Sequence, residues 1–156
     1  MKLLQAEANA RSTASPATVY AVAKDSSRYP EWSRIGAFEH VRDGAGEACG
    51  VGSRRIFRTW PLNLLEEVVE LVPERRVAYV VPSGLPFRDY RADIEIEPLQ
   101  GGGTAIRWHN RFYAKYRGTG FLCRAFMQKV FDDMVPALAR EAERIEREAG
   151  ATRRAA

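Results

Sequence analysis

Lysine is scarce in this chain. Only Lys2, Lys24, Lys115 and Lys129 occur, so arginine carries nearly all the positive charge behind a net charge of +4. The arginines are spread along the chain and interleaved with Asp and Glu. That pattern describes solvated faces, not the gathered basic stripe a nucleic-acid site requires, and no nucleic-acid partner is expected. Cysteine is limited to Cys49 and Cys123, whose spacing suggests neither a disulfide framework nor a metal site. His40 and His109 are the only histidines, and neither has a second His or Cys at ligand spacing, so no metal is expected. Gly101-Gly102-Gly103 joins two strand-like segments and is no phosphate loop; a G-x-S-x-G elbow is missing too. No cofactor is therefore expected. No apolar run approaches the ~18 residues of a membrane span. The start, MKLLQAEANA, turns polar after two leucines and lacks a secretory core. The expectation is a cytoplasmic protein without stable membrane insertion.

What is present is a chain of 156 residues, 46 % hydrophobic and 28 % charged, enough for one domain with a real core. In LLQAEANARST (3–13), Leu4, Ala6, Ala8 and Ala10 alternate with Gln5, Glu7, Asn9 and Arg11. This predicts a half-buried strand whose small inner face admits a close neighbour. Ser15-Pro16 reads as an N-cap followed by proline at the first helical position, opening a short helix to about Lys24. SSRYPEWS (26–33) follows, with Tyr29 and Trp32 in a second, broken turn.

From Phe38 the period changes to two, predicting strands near 37–43, 51–59, 64–72, 76–82, 87–97 and 104–114, separated by Gly- and Pro-containing turns. Two alternate cleanly. In RDYRADIEIE, Tyr90, Ala92, Ile94 and Ile96 oppose Arg91, Asp93, Glu95 and Glu97. In TAIRWHNRFY, Ile106, Trp108, Asn110 and Phe112 oppose Arg107, His109, Arg111 and Tyr113, which places His109 on the wet face. The last third predicts a helix from about Thr119 to Glu148, with a stripe through Leu122, Phe126, Val130, Met134, Leu138, Ala142 and Ile145. Phe121, Met127, Phe131 and Val135 widen it. A bend is expected at Pro136 and a stop at Gly150. Residues 1–150 then form a single domain, and 151–156 a disordered basic tail.

An antiparallel sheet with one wet face needs a cover on the other, and the long helix supplies it. A strongly curved sheet is not filled by one helix, so a cavity is expected between them. Phe126, Met127, Val130 and Met134 would line it from the helix; Tyr90, Ile94, Trp108, Asn110 and Phe112 from the sheet; Trp32 at the corner. A solid core made of the same residues is the competing account.

The order of elements, with RYPEWS after the first helices, LVPERRVAYVV across a hairpin, GGGTAIRWHNRF in the last strand and an amphipathic closing helix, resembles the START-like helix-grip superfamily. Within it the chain is most similar to the polyketide cyclase/dehydrase and lipid-transport group, often called SRPBCC, over roughly residues 3–146. The resemblance implies an α+β helix-grip fold: a curved antiparallel sheet of about seven strands around a long C-terminal helix, with two short helices after strand 1. It also implies an internal cavity, with Tyr29 and Trp32 bracing its corner.

Two functions from different classes follow. The first is binding of a hydrophobic small molecule such as a lipid, isoprenoid or polyketide, with Asn110 and Tyr90 setting orientation and the loops Trp60-Pro61-Leu62 and Ser83-Gly84-Leu85-Pro86 at the mouth. The second is a cofactor-free polyketide cyclase/dehydrase of the aromatase/cyclase kind, which needs two or more polar side chains converging in the cavity. Asn110 would hold a ligand or the protein's own backbone; Tyr90 would donate to a ligand, act as a weak acid or serve the core. In LLEEVVELV (64–72) either parity buries a glutamate near the sheet or places it at a strand end; a buried one would be a general acid or base or pair with Arg54, Arg55 or Arg58. Arg55 shares a parity with Phe57 and can reach inward. The arginine implied by likeness to the cyclases falls where this chain has Glu70 and Leu71; Arg88 is not tied to that role. A solid interaction module is the third account. The sequence carries no sign for or against self-association.

Overall fold

Strict alternation leaves β6 and β7 with one apolar and one charged face, and the remaining sheet is built outward from them. The computed structural model describes residues 1–156. Its elements are β1 (Leu4–Ser12), α1 (Pro16–Lys24), a 3-10 turn (Ser26–Arg28), α2 (Tyr29–Trp32), β2 (Ala37–Arg42), β3 (Arg54–Thr59), β4 (Leu62–Val72), β5 (Arg76–Ser83), β6 (Phe87–Pro98), β7 (Thr104–Ala114) and α3 (Gly120–Ala155). All seven strands join one antiparallel sheet in the order β1-β7-β6-β5-β4-β3-β2. The sheet curves around α3 in the α+β helix-grip arrangement.

β1 and β2 are the two edges, and the chain crosses between them through α1 and α2. Ser15 caps α1, its side chain accepting from the Thr18 N–H. Glu146 on α3 anchors the same corner: its Oε1 accepts from Ser15 Oγ at 2.6 Å and Thr18 Oγ1 at 2.7 Å. These bonds hold the Glu146 carboxyl below the usual carboxylate range.

The alanines of β1 let α3 lie close along this strand. An open strand edge leaves backbone groups without partners. Here α3 supplies them. The Gln128 amide both accepts from the Glu7 N–H (3.3 Å) and donates to the Glu7 carbonyl (2.7 Å), and Arg124 donates to the Gln5 carbonyl (3.1 Å).

Four expectations from the sequence need correction. β3 begins at Arg54 and not at Val51, because Gly52 adopts a left-handed φ of 85° that interrupts the strand. β4 keeps neither parity: a bulge between Val68 and Glu70 sends Glu66 and Val68 inward but turns Glu70 out to Arg91. The buried row of α3 is Cys123, Met127, Phe131, Val135 and Leu138; Leu122 and Phe121 are 66 % and 79 % exposed. The first half of the helix overhangs the sheet instead of packing flat on it, which rotates the buried face by one residue. Finally, α3 passes the expected stop at Gly150 and reaches Ala155, with Pro136 inside it. One helical glycine costs only about 1 kcal/mol, and Thr152 and Arg153 bond back to the carbonyls of Glu148 and Ala149. The tail residues 151–156 are thus helical through Ala155, though fully on the surface.

This rotation predicts unequal costs along one helix. Leu138 is fully buried, and Leu138→Ala lowers unfolding free energy by about 2–5 kcal/mol. Leu122→Ala changes it by no more than about 0.5 kcal/mol. Urea denaturation followed by circular dichroism measures both; equal losses would restore the stripe read from periodicity.

Candidate functional site

Between the sheet and the first half of α3 lies a cavity of about 630 Å³. Leu62 and Leu64 of β4, Tyr79 and Val81 of β5, Tyr90 of β6 and Trp108 of β7 form its sheet side. Phe126, Met127, Val130 and Met134 of α3 close it from the other side, with Tyr29 and Trp32 of α2 at the corner. Methionine and aromatic side chains make such a wall adaptable. Arg34 and Asp133, 4.0 Å apart, stand at its polar rim. Pro136 lacks the N–H that would bond the Asp132 carbonyl in a regular helix, and both residues border the cavity.

The corner is built by ring stacking. Tyr29 is 2 % exposed, lies parallel to Phe57 at 5.5 Å and meets Trp32 edge-on at 4.8 Å. Its hydroxyl donates to the Ala23 carbonyl, tying α2 back to α1. Tyr29 is therefore a brace. Trp32 borders the cavity, and its buried indole N–H has no partner.

The polar end of the cavity is Glu66. Its carboxylate is held by Arg55, whose Nε and Nη2 both donate to Oε2 at 3.2 and 3.0 Å. Arg55 is 2 % exposed and its guanidinium sits over the rings of Phe57 (5.6 Å) and Tyr79 (5.9 Å). Arg55 Nη1 is buried without a partner. Glu66 Oε1 takes no bond from the protein, and Glu66 lines the cavity. Burial pushes the Glu66 carboxyl above the usual range, against the pull of Arg55.

Two phenols flank this carboxylate. Tyr79 OH accepts from Trp108 Nε1 at 3.2 Å, and Tyr90 OH accepts from Asn110 Nδ2 at 3.3 Å. The two hydroxyls also lie within reach of each other, so the pair offers at least one hydrogen to a ligand. Burial raises both far above the ordinary tyrosine value, so they are neutral donors and not acids at physiological pH. Asn110 Oδ1 accepts from the Ala6 N–H at 2.9 Å. Its amide is spent on β1 and on orienting Tyr90.

The residues singled out in the sequence thus divide. Trp32, Tyr90, Trp108, Phe126, Met127, Val130 and Met134 come together around the cavity. Ile94, Asn110 and Phe112 are buried but do not border it. Phe112 packs on Phe87 at 4.3 Å, and Ile94 is closed into the core that α1 shares with β5 and β6. Leu62 and Leu85 bring the β3–β4 and β5–β6 turns to the wall. Tyr79 went unremarked in the sequence, although the alternation of Val77, Tyr79 and Val81 marks it as inward. His109 stands on the wet face, 3.1 Å from Glu95.

No helix is long and apolar enough to cross a membrane. Among solved structures, a START superfamily protein from Mycobacterium smegmatis matches with a TM-score of 0.78 at 14 % identity, over 90 % of this chain and 98 % of that one. The ZhuI aromatase/cyclase from Streptomyces sp. R1128 gives 0.76 at 17 %, over 96 % and 99 %. A protein from Thermobifida fusca gives 0.75 at 22 %, over 91 % and 95 %. These identities establish a shared fold. No curated protein matches by sequence. A family-wide sequence pattern does, across residues 4–143, from the first strand to the buried part of the closing helix: the chain belongs to the polyketide cyclase/dehydrase and lipid transport family.

Proposed function

We propose that the protein binds an apolar small molecule with one neutral, oxygen-bearing end. The observation that carries this reading is the unpartnered Glu66 Oε1 in a cavity whose wall between sheet and helix is mostly apolar, with its other charged groups at the rim. The apolar body lies between β4–β6 and α3, where burial contributes ~25 cal/mol per Å². A hydroxyl on the ligand donates to Glu66; a carbonyl accepts from Tyr79 or Tyr90. A carboxylate end is disfavoured, because it sets a second negative charge beside a buried one.

Convergence of one carboxylate and two phenols on the same end favours a second reading, cofactor-free acid–base chemistry of the cyclase/dehydrase kind. Glu66 would take a proton from the carbon next to a ketone. The phenols would donate to the ketone oxygen as charge develops on it. The upward shift of Glu66 suits it to a base working nearer neutrality.

Native mass spectrometry of the purified protein, compared with its denatured extract, is the direct test of carriage. A co-purified apolar species in stoichiometric amount is the expected result. Val130→Trp fills the cavity and abolishes binding of an apolar fluorescent probe while the protein stays folded; undiminished probe binding would overturn the site. A long-chain alcohol displaces the probe at about tenfold lower concentration than the matching fatty acid at neutral pH. Equal displacement would mean that Glu66 does not select the polar end of the ligand.

Turnover separates the two readings. Given a poly-ketone substrate analogue, an enzyme loses about 100-fold in rate or more in Glu66→Gln while retaining probe binding. Absence of wild-type turnover leaves carriage alone.

Stability against pH tests the titration itself. The folded value of Glu66 lies above its unfolded one, so the folded state holds the extra proton across the interval between them. Stability therefore falls as pH rises through that interval; the penalty is absent below it and complete above it. Glu66→Gln removes this segment of the slope, although leaving Arg55 unpaired lowers stability throughout. Melting temperatures from pH 4 to 8 for both proteins measure the difference, and parallel curves would contradict the raised value.

A further inference from the structure

Several arginines on the outer sheet face are paired: Arg91 with Glu70 and Asp93, Arg107 with Glu7 and Glu95, Arg54 with Glu67. At the end of the molecule where the cavity opens, Lys2, Arg88, Lys115, Arg117 and Arg124 have no acidic partner. Register and contacts bring their segments together. Leu4 pairs with Phe112 and Phe87 with Ala114. The Lys115 N–H donates to the Pro86 carbonyl at 3.0 Å, and Gly120 lies against Leu4. Gly84 approaches the Asn63 backbone so closely that a Cβ would overlap its carbonyl, which seats the β5–β6 turn beside the β3–β4 turn. The segments forming this end, 1–6, 59–65, 83–89 and 111–131, contain a single acid, Asp89; Asp132 and Asp133 follow at the cavity rim, where Asp133 is paired with Lys129 and Arg34.

Large apolar side chains stand exposed at the same end. Trp60, at the tip of the β3–β4 turn, is 93 % exposed; Phe121, Leu122 and Tyr116 are exposed from the start of α3 and the loop before it. They project from separate segments and are interleaved with the unpaired cations. Phe126, 45 % exposed, continues this surface into the cavity wall.

We propose that this end docks on the surface of a lipid bilayer containing anionic lipids. Exposed aromatic and leucine side chains enter the boundary between headgroups and acyl chains, and tryptophan is favoured there. Unpaired cations around them meet the negative surface potential, each adding attraction that salt weakens. A fluid surface accommodates side chains arriving from separate segments, whereas a folded acidic protein would need a matching relief. If the cavity holds an apolar ligand, as proposed above, docking in this orientation lets that ligand pass between bilayer and cavity without crossing water.

The test is co-sedimentation of delipidated protein with vesicles of phosphatidylcholine, alone or with about one third phosphatidylserine. Binding to the serine-lipid vesicles, weakened by added salt, is the expected result. The Lys115→Glu/Arg117→Glu variant partitions at least about tenfold less. Its probe binding in the cavity is unchanged, which shows that it is folded. Trp60 emission shifts to the blue on binding, and the shift is lost in Trp60→Phe. No vesicle binding, equal binding to neutral vesicles, or wild-type binding by the charge-reversed variant would overturn the proposal. So would retention on a polyanion such as heparin without vesicle binding, which would indicate an acidic macromolecule. Vesicle binding without any probe binding would leave the docking surface standing and remove only the ligand reading.

Discussion

Everything about the cavity depends on how closely α3 approaches β1. The inner face of β1 is alanine, so the helix can lie against it, and Gln128 and Arg124 fasten it to the strand's open edge. A helix fixed to one edge of a seven-stranded curved sheet cannot also cover the other side. It packs on β1 and β7 and stands off from β4 and β5. The short α1 fills part of the remaining concave surface, over β5 and β6. What neither helix covers is the cavity. The empty volume is thus a consequence of small residues on an edge strand distant from it, and larger side chains at Ala6 or Ala8 would move the helix before they touched a ligand.

The polar end is a different kind of constraint. A buried arginine–glutamate pair is at best a weak source of stability, since the desolvation of two charges offsets their attraction. Here the pairing is also incomplete. Both bonds from Arg55 fall on one carboxylate oxygen, and Arg55 Nη1 and Glu66 Oε1 are left over. An apolar pair of the same volume would satisfy the core equally well. What the ionic pair adds is a fixed acceptor at the end of an apolar space. Asn110 and Trp108 serve the same end indirectly: by donating to Tyr90 and Tyr79 they orient the two phenols beside the carboxylate.

Much of the fold was legible because periodicity was clean where the sheet is regular. β6 and β7 alternate without interruption through Tyr90–Glu97 and Ile106–Tyr113, and their inward and outward residues fall where period two puts them. Legibility failed where one extra residue or a small rotation intervenes. In β4 the bulge between Val68 and Glu70 changes parity within the strand, so no single alternation sorts its glutamates. In α3 the two rows Leu122–Phe126–Val130 and Cys123–Met127–Phe131 are both apolar. Which one is buried depends on where the sheet edge lies, and that is tertiary information. Asn110 was read correctly as inward, but whether an inward amide serves ligand or backbone depends on the Ala6 N–H, set by the register of a strand more than a hundred residues earlier.

The distribution of charge follows the same division between regular and irregular parts. Strands in register place opposite charges across from one another on the outer face, so Arg107 and Arg76 find Glu95 on the neighbouring strand β6, while Arg91 reaches across β5 to Glu70. Pairing of this kind needs a ladder. The turns and the overhanging first turns of α3 offer none, and the sequence there supplies almost no acid. Apolar side chains that the rotation of α3 removes from the core are exposed among those unpaired cations. The close fit of α3 on β1, which holds it off β4 and β5, therefore produces the cavity and its open mouth, and the sequence of the segments around that mouth gives the surface its chemical character.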